Sequence, residues 1–134
     1  MHRFENKTAI VTGATGDIGR ATVIRLANEG ANVLCVGRDP DALANTVRLA
    51  EKFGTKIASF TADATDALAV QASIVAAQEL GGTLDAYFNN AGILGPAQPI
   101  EEYDEHQFNE VLNVNVRGVF LGLKHAGAAM GPGG

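Results

Sequence analysis

TAIVTGATGDIG, Thr8 to Gly19, sets the reading of the whole chain. Ala9, Ile10 and Val11 make a short apolar β run. Gly13, Gly16 and Gly19 follow at three-residue spacing, and a helix is expected to open at about Ile18. Glycine lets the backbone turn tightly and lets an anion approach main-chain amides. The helix N-terminus adds unpaired donors and a partial positive charge. A glycine pattern alone is weak evidence. Set between a strand and a helix, it marks the start of a dinucleotide-binding βαβ unit. The competing reading is a plain strand-to-helix turn whose glycines serve only the backbone. Thr12 can tie this turn to the strand, and Thr15 can offer its hydroxyl to a phosphate.

Outward from this stretch, strands and helices alternate. The first strand spans about Thr8 to Thr12. The first helix runs from about Ile18 to Glu29 and stops at Gly30, which suits a C′ position. Asn32 to Val36 is a continuous apolar run, as in a strand covered on both faces. Asp39 and Pro40 read as N-cap and N1 of a second helix that ends before Gly54. A third strand at about Lys56 to Thr61 precedes an Ala-rich helix that starts after Thr65 and stops at Gly81-Gly82. A fourth strand spans Leu84 to Asn89. A polar loop with Gly92, Gly95, Pro96 and Pro99 then leads to one long helix. Asp104 and Gln107 can form its capping box, and its apolar face is Phe108, Val111, Leu112, Val119 and Leu123. Such alternation predicts a doubly wound parallel sheet with helices on both faces and right-handed crossovers.

Bulk properties set the limits. The 134 residues suffice for one domain, residues 1–134, with a core of its own. A net charge of -5 argues against nucleic acid and anionic membranes as partners. Cys35 is the single cysteine. It lies in an apolar run, so a buried thiol in a reducing, cytoplasmic setting is expected. The polar start Met1-His2-Arg3-Phe4-Glu5 lacks the apolar segment of a secretory signal. No stretch approaches the ~20 apolar residues of a membrane span.

The other strand ends carry the remaining candidates. In dinucleotide folds an acidic residue ~20 positions past the glycines binds the adenine ribose. Here Gly37 stands near that place and Arg38 follows it. A guanidinium grips a 2′-phosphate that a carboxylate would repel, so NADP is favoured over NAD. The alternative leaves Arg38 solvated. Asp63 ends the third strand and can accept from an adenine amino group, or simply form a turn. Asn89-Asn90-Ala91-Gly92 ends the fourth, at the sheet edge where ligands bind. Asn side chains there can lock loops, and Ala91 and Gly92 leave room for a flat ring and sugar. Asn115 lies on the apolar stripe of the last helix, seven residues after Phe108. It either bonds across helices or serves the site by holding a water or a neighbouring side chain.

Together these motifs resemble the short-chain dehydrogenase/reductase family. The matching pieces are Thr12 to Gly19, Asp63, Asn89-Asn90-Ala91-Gly92 and Val114-Asn115-Val116-Arg117-Gly118. The resemblance covers essentially the whole chain but about the first half of a typical member. It implies a Rossmann-type sheet in the order 3-2-1-4, cut before the fifth strand. It implies hydride transfer between NADP(H), or NAD(H), and a carbonyl or secondary alcohol. Gly13, Thr15, Gly16, Asp17, Ile18 and Gly19 would hold the pyrophosphate and Arg38 the 2′-phosphate. Asp63 and Ala64 would meet the adenine, and Asn90, Ala91 and Gly92 the ribose. Asn115 would be the catalytic Asn that anchors a water in the proton relay. The resemblance also implies dimers or tetramers through the last helix.

Two features depart from the family pattern. Asp17 stands where this branch usually has glycine. The Tyr-x-x-x-Lys pair, with its upstream Ser, is missing from these residues. The tyrosines are Tyr87 and Tyr103, and four residues beyond them lie Ala91 and Gln107. The chain by itself is therefore expected to bind cofactor without turnover. A non-catalytic dinucleotide-binding module is the rival reading. His2, His106 and His125 show no metal-ligand spacing, and Glu101-Glu102 reads as a solvated turn.

Overall fold

The computed structural model describes residues 2–134. β1 (Thr8–Thr12) is buried along its whole length. It pairs in parallel with β2 (Asn32–Gly37) on one side and β4 (Ala86–Phe88) on the other. β3 (Ile57–Thr61) lies outside β2, which gives the order β3-β2-β1-β4. This is the expected Rossmann-type arrangement. Register sets Thr12 opposite Val36, and Gly37 opposite Thr61. The carboxyl ends of the three long strands therefore finish level, at one edge of the sheet.

Alternation along the strands divides the core in two. Ile10, Leu34 and Val36 point to the face covered by α3 (Ala67–Gly81) and α5 (Val119–Ala129), where they meet Val70, Ile74 and Leu121. Val11, Val33 and Cys35 point to the other face, against Val23 of α1 (Asp17–Asn28) and Leu43 of α2 (Pro40–Ala50). Cys35 is the buried thiol expected from its surroundings, and burial pushes its pKa up to about 12. No helix among the described residues is long and apolar enough to cross a membrane.

Asp39 caps α2 as expected, accepting from the amides of Asp41 and Ala42 at 3.0 and 3.2 Å. Three other expectations need correction. First, β4 covers Ala86–Phe88 rather than Leu84 to Asn89. Asp85 turns its carboxylate onto the Thr8 amide at 2.9 Å and the Lys7 ammonium at 3.0 Å. Asn89 and Asn90 bond other segments beyond the strand. Second, the capping box of α4 (Glu105–Leu112) is half formed: Asp104 accepts from the Gln107 amide at 3.0 Å.

Third, the long final helix is interrupted by a π-helical segment, Asn113–Gly118, and packs on a different face from the one expected. Phe108, Leu112 and Leu123 are exposed, while Gly118, Leu121, Gly122 and Ala126 are buried. Close approach decides the face. A Cβ on Gly122 would stand 2.7 Å from Asn89 Nδ2 and 2.9 Å from Tyr87 Cε1. Only a small-residue stripe can seat against that edge of the sheet, so the large side chains are left outward.

Candidate functional site

The turn between β1 and α1 is built from several directions. Gly13 has φ of 61°, a left-handed conformation that favours glycine. Its carbonyl accepts from the Gly16 amide at 3.2 Å and from Asn90 Nδ2 at 3.3 Å. The Ala14 carbonyl accepts from the buried Thr46 hydroxyl of α2 at 3.0 Å. The Thr15 carbonyl accepts from Arg20 Nη2 at 2.8 Å. All three turn carbonyls are thus engaged by the protein, which leaves donors rather than acceptors to face a ligand.

The first intrahelical bond of α1 is from the Arg20 amide to the Gly16 carbonyl, 2.9 Å. The amides of Asp17, Ile18 and Gly19 precede that ladder, and no side chain caps them. By contrast, α2, α3 and α4 each open on an aspartate that accepts from their first amides: Asp39, Asp66 and Asp104. An uncapped N-terminus at the carboxyl edge of a parallel sheet is suited to an anion. Asp17 opens α1 in helical geometry. Among the described residues Asn6 is the one non-glycine with positive φ, so the acid imposes no backbone strain on the turn.

A cleft of about 600 Å³ lies over this turn, within the usual size range of small-molecule sites. It is lined by Gly13, Thr15, Gly16, Asp17, Ile18, Gly19, Arg38, Asp63, Ala64, Asn90, Ala91 and Gly92, so twelve of the thirteen residues expected to bind cofactor or serve catalysis share it. Val36, Ala62 and Val114 also line it, as does Ile93, which no motif had marked.

Thr12 and Asn90 lock the two central strand ends together. The Thr12 hydroxyl donates to the Phe88 carbonyl at 3.2 Å and accepts from the Asn90 and Ala91 amides at 2.9 and 3.0 Å. Asn90 Nδ2 returns a bond to the Thr12 carbonyl at 3.1 Å. Thr12 therefore ties β1 to β4 rather than to its own turn. Asn89 donates to the Val119 carbonyl at 2.8 Å and so seats the last helix.

At the far end of the cleft, Asp63 Oδ1 accepts from the Thr65 amide at 2.9 Å and the Thr65 hydroxyl at 2.8 Å. These bonds, helped by the charge of Arg38 and opposed by partial burial, hold the carboxyl below its ordinary pKa. Asp63 is therefore an ionised acceptor. Arg38 is exposed beside it and free to meet solvent or ligand.

Asn115 is the residue that the cleft does not include. It lies in the π segment and is exposed, rather than buried on an apolar stripe as its spacing suggested. Its carboxamide makes a two-way pair with one residue: Oδ1 accepts from the Ile93 amide at 2.8 Å, and Nδ2 donates to the Ile93 carbonyl at 2.7 Å. Asn115 acts on the cleft by holding the loop that forms its wall. Neither tyrosine lines the cleft. Burial pushes Tyr87 up to about 12, the opposite of an activated proton donor. No cluster of His, Cys, Asp and Glu among the described residues suits a metal ion.

The sheet order and a cleft at its carboxyl edge define a doubly wound α/β protein, with the cleft where such folds take their ligands. Residues 7–134 match the family model described as short chain dehydrogenase. The chain belongs to that family. It is 38% identical over its full length to a 3beta-hydroxysteroid dehydrogenase of Mediterraneibacter gnavus, covering 49% of that protein. Among solved structures it resembles an NAD+-bound xylitol dehydrogenase, with TM-score 0.91 and 34% identity over 95% of this chain and 49% of that one. It also resembles a short chain dehydrogenase from Burkholderia cenocepacia J2315 in complex with NADP, with TM-score 0.91 and 33% identity over 98% of this chain and 54% of that one. The chain spans about half the length of these relatives.

Proposed function

We propose that these residues form the dinucleotide-binding part of an NAD(P)-dependent oxidoreductase acting on a carbonyl or secondary alcohol. The uncapped N-terminus of α1, facing the cleft while its neighbours carry their own aspartates, is the observation that carries this reading. Relatives that bind NAD+ or NADP, by their descriptions, support it. The residues present fit the group. The amides from Asp17 to Gly19 would hold the pyrophosphate, with Thr15 beside them. Asp63 and Ala64 would meet the adenine, and Asn90 to Gly92 the ribose. Bound there, a nicotinamide would supply hydride transfer. Asn115 would keep the Ile93 wall in place near the reacting end and position the water of the proton relay.

NADP is the favoured cofactor. Arg38 offers a planar donor fork at the end of β2, where Gly37 supplies no competing carboxylate. Arg38→Asp should weaken NADPH binding at least about tenfold and spare NADH. Equal loss for both cofactors would contradict the 2′-phosphate role. These residues contain no Tyr-x-x-x-Lys pair, so the chain alone should bind cofactor without turnover. Steady NADPH consumption with a panel of aldehydes and ketones, retained in Asn115→Ala, would overturn both that statement and the role of Asn115.

A further inference from the structure

Arg117 sits in the π segment, two residues beyond Asn115, and reaches a different loop. Its Nη1 donates to the Thr65 carbonyl at 2.6 Å. Thr65 is the residue whose amide and hydroxyl hold Asp63. The next residue, Gly118, is buried against the same loop: a Cβ there would stand 3.3 Å from the Ala64 carbonyl oxygen. One short segment therefore fixes two separate walls of the cleft, Ile93 through Asn115 and the 63–65 loop through Arg117. The wider π turn breaks the regular helix at the point from which both contacts leave.

We propose that Arg117 is a positioning residue for the adenine end of the cleft. It holds Thr65, Thr65 holds Asp63, and the ionised Asp63 is thereby set before a ligand arrives. The inference rests on the cofactor reading above. Without Arg117 the loop must be ordered at the moment of binding, and that cost appears as lost affinity. Arg117 is exposed, so its replacement leaves the core intact.

The test is a titration of the purified protein and its Arg117→Met and Arg117→Lys variants with three probes: AMP, NADPH and reduced nicotinamide mononucleotide. Arg117→Met should weaken AMP and NADPH by about five- to tenfold and leave the mononucleotide unchanged. Arg117→Lys keeps a cationic donor and should recover most of the loss, which a merely structural role would not explain. AMP and NADPH affinities unmoved by Arg117→Met would overturn the inference alone, as would an equal loss for the mononucleotide. Failure of the unaltered protein to bind any of the three would overturn the cofactor reading and the inference with it.

Discussion

Three glycines in one turn have three different reasons to be there. Gly13 needs its positive φ. Gly19 permits contact: a Cβ would lie 2.1 Å from the Gly13 carbonyl oxygen, so the helix could not sit where it does. Gly16 has neither reason. Its φ is -76° and an added Cβ would meet nothing nearer than 3.7 Å. The space above Gly16 opens into the cleft. Gly19→Ala should therefore cost about 1–3 kcal/mol of stability or more, seen as a lower melting temperature. Gly16→Ala should cost at most about 1 kcal/mol yet weaken dinucleotide binding about tenfold. Equal effects of the two variants on stability would contradict this division of roles. Much of the cleft was legible at this scale because strand ends in a parallel sheet converge on one edge. Thr46, Arg20 and Arg117 were not legible. Thr46 and Arg117 bond carbonyls 32 and 52 residues away in sequence, Arg20 folds back onto the carbonyl of Thr15, and no local spacing announces such bonds.

At the scale of elements, β1 to α2 followed from the sequence because periodicity, caps and stop glycines agree there. The last helix did not, because glycine contact rather than apolar size chose its buried face. Nor did the tie between the N-terminal segment and α1. Glu29 ends that helix with its side chain only 4% exposed, held by bonds from Arg3 and Arg25, including Arg3 Nη2 at 2.7 Å. A carboxylate at a helix C-terminus is opposed by the helix dipole, and the two guanidinium groups offset it. They lower its pKa from 4.5 to about 2. A depressed folded pKa means the stabilisation is fully present above about 4.5 and lost as pH falls towards about 2. Thermal melts across that range should show a steep acid arm. Glu29→Gln should melt lower at neutral pH and lack that part of the arm. Parallel acid arms for the two proteins would count against the role given to Glu29.

On the whole molecule, the outward face of the final helical stretch is unusual. Phe108, Leu112, Val116, Phe120 and Leu123 are between 42% and 66% exposed and recur mostly at four-residue spacing. A contiguous apolar ridge of this kind favours association. Sedimentation velocity should show association that grows with concentration and weakens in Phe120→Glu. A monomer at every concentration would contradict that expectation. Two helical layers flank the sheet, and residues after all four strands line the cleft beside the uncapped start of α1. The most direct measurement is calorimetric titration of the purified protein with NADPH and with NADH. Expected is one site per chain, with tighter binding of NADPH and loss of affinity in Gly16→Ala. A folded protein that binds neither cofactor would contradict the assignment of the cleft.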